Sequence, residues 1–174
     1  MQMEIDLTEL DPDGVRVAET FMGEQLATGN GDRVEPLRAD IEAWVRPEKG
    51  LARATGRISA RVRGECDRCL KATEVEIVGE FDQRYVWGAA AAEESEAEVD
   101  PSELDIELLE TPRLDVQELA REQFELNAPM HLLCTETCLG LCPVCHANRN
   151  EVACGCEADE IDPRWDALKS LKLN

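Results

Sequence analysis

Eight cysteines are the residues of this sequence best suited to chemistry, and six of them lie between Cys134 and Cys156. That stretch reads CTETCLGLCPVCHANRNEVACGC, with the spacing C-x3-C-x3-C-x2-C-x8-C-x-C. A tetrahedral zinc ion takes four soft ligands from short, sharply turned segments, and C-x2-C and C-x-C are both clips of that kind. Cys142, Cys145, Cys154 and Cys156 therefore make a complete candidate site, with Pro143 and Gly155 suited to its turns. Cys134 and Cys138 are half of a second site, and Cys66 and Cys69, in Cys66-Asp67-Arg68-Cys69, supply the other half. Four plus four, for two structural zinc ions, is the simplest partition.

Two other uses of the thiols compete. An even number of cysteines permits disulfides, but the acidic N-terminus MQMEIDLTEL has no apolar core of signal-peptide type, so a reducing cytoplasmic setting is expected. A redox dithiol at Cys142 and Cys145 would need a following helix N-terminus to lower a thiol pKa, and here a loop-like His-Ala-Asn-Arg-Asn follows. No catalytic constellation stands out. His131 and His146 are the only histidines, and no nucleophile elbow, phosphate-binding glycine loop or distinct carboxylate pair is present. A closed site of four thiolates leaves no position for water. The expectation is a protein that is not an enzyme and takes no small-molecule substrate.

The elements that must position these thiols follow from periodicity. At 174 residues the chain can bury a real core, and no apolar run approaches the ~20 residues of a membrane span, so no membrane partner is expected. Short strand-like pieces occur at 3–7 and 15–21. From Leu37 the period is two: Leu37, Ala39, Ile41, Ala43 and Val45 share one face. The next strand, 52–66, turns Ala54, Gly56, Ile58, Ala60 and Val62 inward, and 70–87 does so with Val75, Ile77, Gly79, Phe81 and Tyr85. A two-residue turn at Asp67-Arg68 would set Arg61 opposite Glu74, Thr55 opposite Glu80 and Arg53 opposite Asp82, with Cys66 and Cys69 both inward.

Residues 88–103 are rich in carboxylates and poor in bulky side chains, which predicts a mobile acidic loop. A short strand is expected at 104–109. A helix over 115–127 would be capped by Asp115 with Glu118 as its box partner, burying Val116, Leu119, Ala120, Gln123 and Asn127, with Phe124 and Leu126 broadening that side. A last helix begins at Asp162-Pro163 and carries Leu168 and Leu171. The fold predicted is α+β: a mainly antiparallel sheet covered by a helix over 1–130, with the Cys-rich segment 131–174 packed on the same domain.

Charge is unevenly spread. The net charge is -20, yet Arg46 to Lys71 holds eight basic against three acidic residues, leaving the remainder at -25. In the predicted register Arg63, Arg68 and Lys71, at the hairpin tip, have no obvious acidic partners, which makes them candidates for contacting phosphate. The other arginines of that strand read equally well as cross-strand ion pairs.

Taken in order, the Cys66-Asp67-Arg68-Cys69-Leu70 hairpin, the acidic stretch, AREQFELNAP, C-x3-C-x-G-L-C-P-x-C, N-x-N, C-x-C and DPRxxxLxxL resemble the YceD family. That is the bacterial family of large-subunit ribosomal RNA accumulation proteins, and the likeness runs over roughly 37–174. It implies a role in synthesis, processing or stability of 23S ribosomal RNA. The family's defining residues correspond to Cys66, Arg68, Cys69, Cys142, Cys145, Asn148, Asn150, Cys154, Cys156, Asp162, Pro163 and Arg164. His146 departs from the pattern, standing where glycine is usual. Some members lack most of the C-terminal cysteines, which implies that the metal serves stability.

Two mechanisms fit a ribosome-biogenesis factor of this composition. The hairpin tip could touch ribosomal RNA or a pre-ribosomal particle, or the acidic bulk could shield a basic large-subunit ribosomal protein. A thiol redox protein is the distant third reading.

Overall fold

The computed structural model describes residues 4–27, 34–88, 106–156 and Arg164. Among them the period-two segments form the expected strands. β1 is Glu4–Asp6, β2 Val15–Met22, β3 Val34–Glu48, β4 Leu51–Glu65 and β5 Ala72–Trp87. The short helix α1, Gly23–Leu26, follows β2; β6 is Ile106–Leu109, β7 Arg113–Asp115 and α2 Val116–Asn127. A five-stranded sheet runs in the order β2-β3-β4-β5-β6. It is antiparallel except at β5 and β6, which pair parallel from Arg84↔Ile106 to Trp87↔Leu109. A parallel neighbour needs a returning connection of about a dozen residues or more. Residues 88–105 supply that length.

One face of this sheet is the core. Ala39, Ile41, Ala43, Val45, Ala54, Ile58, Ala60, Val62, Ile77, Phe81 and Tyr85 are all buried there. A register irregularity between Pro36 and Arg38 takes Leu37 partly out of line, so Val34 and Pro36 are buried in its place. Helix α2 lies over the face with Val116, Leu119, Ala120, Gln123 and Phe124 buried. Each large apolar side chain so removed from water contributes roughly 1.5–3 kcal/mol. Leu126, expected on the same side, is instead exposed; two positions on from Phe124 it has turned to the opposite flank of the helix. Asp115 caps α2, accepting from Gln117 N at 2.8 Å and Glu118 N at 3.3 Å, whereas the Glu118 carboxylate goes to Arg121.

Periodicity alone did not reveal two pairings. β2 joins the sheet, running antiparallel from Val15↔Val45 to Met22↔Arg38. β1 lies apart, pairing with β7 so that Ile5 meets Leu114 just before the helix cap. The acidic stretch beyond Gly88 and the last helix lie outside the described residues, Arg164 excepted. Among the described residues no helix is long and apolar enough to cross a membrane.

The hairpin tip departs from the expected turn. The β4–β5 ladder ends at Glu65↔Ala72, and Cys66 to Lys71 form a six-residue loop closed by Cys66 N to Lys71 O at 2.9 Å. The register is therefore displaced by two residues. Arg61 faces Glu76, Arg63 faces Glu74, Thr55 faces Asp82 and Arg53 faces Arg84. The reason is the cysteine clip: Cys66 and Cys69 can present both sulfurs to one point only if the chain between them leaves the ladder.

Candidate metal centres

The clip at the tip is built from backbone hydrogen bonds. Leu70 N donates to Cys66 O at 2.8 Å, and Leu70 adopts a left-handed φ of 60°. The second clip repeats it. His146 N donates to Cys142 O at 2.9 Å, and His146 has φ 57°. In both, the residue after the second cysteine closes a turn around the sulfur of the first. A left-handed residue is least strained as glycine, so His146 stands at a position that favours glycine.

Each clip turns backbone N–H groups onto its leading sulfur. Burial resists ionisation of Cys66, yet N–H groups of Cys134, Arg68 and Cys69 outweigh it and bring the thiol down to about 6. N–H groups of Cys145 and Val144 act likewise on Cys142, against its burial, and bring it to about 6. Donors aimed at a sulfur favour its thiolate, the form that binds metal.

The remaining cysteines complete two groups. Cys66, Cys69, Cys134 and Cys138 form one, Cys142, Cys145, Cys154 and Cys156 the other, and within each group the sulfurs lie within 4.8 Å of one another. Cys66 Sγ stands 3.8 Å from Cys138 Sγ, and Cys69 Sγ 3.7 Å from Cys134 Sγ. Four sulfurs each ~2.3 Å from a zinc ion sit about 3.8 Å apart at the corners of a tetrahedron. A disulfide would need about 2.05 Å. The donor set, its closure and its spacing fit a metal ion in each group.

The two groups differ in exposure. In the first, Cys66, Cys69 and Cys138 are buried and Cys134 half-buried; in the second, only Cys142 is buried, with Cys145 and Cys156 exposed. Crowding of sulfurs resists full ionisation in both. Lys71 N pulls Cys69 down, but burial and the neighbouring sulfurs prevail and push it up to about 12. Cys145 and burial push Cys156 up to about 12. Burial raises Cys134, and Cys142 raises Cys154. A bound dication would reverse that balance.

The Cys-rich segment is fastened to the tip by three kinds of contact. Asp67 N donates to Leu132 O at 2.8 Å, and Asp67 Oδ2 accepts from Leu132 N at 2.9 Å, with Leu132 itself buried in the core. Arg68 Nη1 donates to Cys138 O at 2.9 Å and Glu136 O at 3.3 Å. Leu141 N donates to Arg68 O at 3.0 Å, beside Gly140, whose φ is 72° and where an added Cβ would lie only 3.0 Å from that oxygen. Arg68 is thus a staple between hairpin and Cys-rich segment. Arg63 also has partners, its Nε and Nη2 lying 3.1 and 2.9 Å from Glu74 Oε1, which corrects the expectation that it lacked an acidic neighbour. Lys71 is exposed at the end of the loop.

Asn150 links the two groups. It lies in the loop between the clips of the second group, yet its Nδ2 donates to Cys138 Sγ of the first at 3.3 Å, and its Oδ1 accepts from Leu139 N at 2.8 Å. Asn148 Oδ1 holds it, accepting from Asn150 N at 3.0 Å and Nδ2 at 2.8 Å. The N-x-N motif signalled these residues, but their reach to the other group's sulfur depends on tertiary folding.

Comparison with curated proteins and with solved structures gave no significant match in either case. The profile of one family, described as large ribosomal RNA subunit accumulation protein YceD, matches residues 54–172. The matched span begins within β4 and takes in every cysteine of both groups. Because it covers more than half of the sequence and includes both clips, the chain belongs to the YceD family.

Proposed function

We propose that the protein is a non-enzymatic ribosome-biogenesis factor, cytoplasmic, supporting the accumulation of large-subunit ribosomal RNA, and that its two cysteine groups hold structural zinc. The observation that carries this is the repeated clip. Two C-x2-C turns of the same geometry each bring four sulfurs together, in a chain matched to a family named for that accumulation. Zinc suits four thiolates, has no redox chemistry and, with all positions filled, serves folding. In this reading residues 1–130 and the Cys-rich segment 131–174 act as one body, fastened at the hairpin tip.

Direct RNA contact at that tip, through Arg63, Arg68 and Lys71, is the finer part of the reading. Lys71 carries it best, since Arg63 and Arg68 already serve Glu74 and the Cys-rich backbone. The net charge of -20 supports a second mechanism, in which the acidic bulk steers a basic ribosomal protein. Depletion followed by measurement of large- against small-subunit ribosomal RNA tests the main reading: the large-subunit RNA should fall selectively, and an unchanged ratio contradicts it. Glu93, Glu94, Glu96 and Glu98 changed to Gln should slow association with a basic ribosomal protein if the second mechanism operates. An unchanged rate contradicts that mechanism.

A further inference from the structure

The face of the five-stranded sheet opposite the core carries the charged residues in cross-strand rows. At the end nearest the β3–β4 turn, Arg46, Arg53 and Arg84 stand directly opposite one another on three adjacent strands. In the next row Arg16, Trp44, Thr55 and Asp82 are aligned. These two rows hold four arginines and one carboxylate. Toward the cysteine tip the signs alternate instead, as in Glu42–Arg57–Glu80.

Like charges placed directly opposite on neighbouring strands work against folding. In a chain with 38 acidic residues, a row of three arginines is therefore a costly choice of partners. Asp82 and Glu48 relieve it in part, and both bind Arg53. Arg53 and burial act oppositely on the Asp82 carboxyl, and Arg53 wins, with the charges of Arg84 and Arg46 adding to the lowering. Guanidiniums from three adjacent strands thus act on the one carboxylate Asp82.

Trp44 orders two of the cations. Arg46 lies 4.3 Å and Arg16 5.2 Å from the centre of its ring, and its Nε1 donates to Asp13 O at 2.9 Å. Stacking of this kind fixes the planar forks and reduces the entropy lost on binding a bidentate anion. Beside the ring runs a groove of about 530 Å³ between Arg16, Thr55 and Arg57. Glu42 and Glu80 line it as well, so a neutral base fits there and a phosphate does not.

We propose that this arginine end of the open sheet face is a contact surface for RNA, with backbone phosphates on Arg16, Arg46 and Arg84 and an unpaired base in the groove at Trp44. Arg for phosphate and a flat neighbour for a splayed base are the means by which single-stranded RNA is held. The inference rests on the reading that the protein touches ribosomal RNA directly, and moves the principal contact from the tip to the opposite end of the sheet. Arg53 and Arg63 are ten residues apart on β4, roughly 33 Å. At ~8–10 Å of screening length the two ends act independently, and the arginine end is little affected by the chain's distant negative charge.

The test is the salt dependence of binding to a labelled, unstructured single-stranded RNA of mixed sequence. The variant Arg16→Gln/Arg46→Gln/Arg84→Gln should flatten the log–log slope by about 0.7 per lost contact, roughly 2 in all, with the folded state retained as read by circular dichroism. Asp82→Asn, which removes the competing carboxylate, should tighten binding and steepen the slope, a gain that misfolding cannot produce. Arg63→Gln/Lys71→Gln should leave most of the slope in place. If wild type binds RNA and the triple variant keeps its slope, this surface is overturned while direct RNA contact stands. If wild type fails to bind RNA even at low salt, direct contact and this surface fall together. Loss of poly-glutamate binding in the triple variant, without RNA binding by wild type, would overturn the proposal in favour of an acidic protein partner.

Discussion

Asn150 and His146 make the two cysteine groups legible one residue at a time. Asn150 belongs by sequence to the second group and by hydrogen bonding to the first, through its 3.3 Å contact with Cys138 Sγ. Outer partners of ligands typically contribute 10–100-fold in metal affinity. Asn150→Ala should therefore weaken metal retention by that order at the buried group rather than at its own, as read by chelator competition on single-group cysteine variants. Equal weakening of both groups, or none, would remove Asn150 from this role. His146 occupies a left-handed position with its side chain exposed, so nothing is lost but strain when the side chain goes. His146→Gly should raise stability by about 1 kcal/mol, visible in the thermal midpoint of the metal-loaded protein. A fall instead would mean that the imidazole makes a contact worth more than the strain.

The elements show what a sequence reading can and cannot reach. The inward faces of β3, β4 and β5 were legible because burial on one side of a sheet forces alternation, and Ala39, Ile41, Ala54, Ile58 and Ile77 obey it. Asp115 was legible as a cap because its side chain satisfies N–H groups two and three residues on. The hairpin register was not. A two-residue turn satisfies the ladder, but the clip's demand on Cys66 and Cys69 is a tertiary one, made by Cys134 and Cys138 from a segment distant in sequence. The strand at β6 was expected, but its parallel direction, the place of β2 in the sheet and the β1–β7 pair escaped for the same reason, since strand partners distant in sequence leave no local periodicity. Element-level independence also predicts a variant. Cys145 is exposed and lies outside the sheet core, so Cys145→Ser should release the segment after Gly140 from its fold while β3–β5 keep their protection. Hydrogen exchange would show this as fast exchange confined to the C-terminal segment. Simultaneous loss of protection in β4 would mean that the sheet depends on the second group.

At the scale of the whole molecule, metal, protons and charge are coupled. Cys69 and Cys134 in one group, and Cys154 and Cys156 in the other, have thiols raised above the ordinary 9.0 and so keep their protons at neutral pH. Cys66 and Cys142, at about 6, are already thiolates there. Each ion bound must then displace at least the two protons held by the raised thiols, and affinity should fall by roughly two log units or more for each unit by which pH drops near 7. Below about 6 the two leading thiols also protonate, and the fall becomes steeper. Calorimetry in buffers of different ionisation enthalpy measures the proton count, and a value near zero would contradict the assignment of protonated sulfurs. The cysteine partition itself was legible from spacing, because C-x2-C and C-x-C are local devices. The joining of the two groups through Arg68, Asp67 and Asn150 was not, because each of those contacts crosses between segments.

Whether the fold closes on metal at two places is measured most directly by native mass spectrometry of the protein prepared without oxygen, with elemental analysis of the same sample. A binding free energy of ~10–16 kcal/mol for a structural zinc would keep the ions in place through that preparation. Two zinc ions per chain are expected, one lost on Cys66→Ser and the other on Cys142→Ser. One ion, removed only by changes among Cys142, Cys145, Cys154 and Cys156, would contradict the buried group at the hairpin tip. A chain of apo mass with every thiol reactive would contradict both.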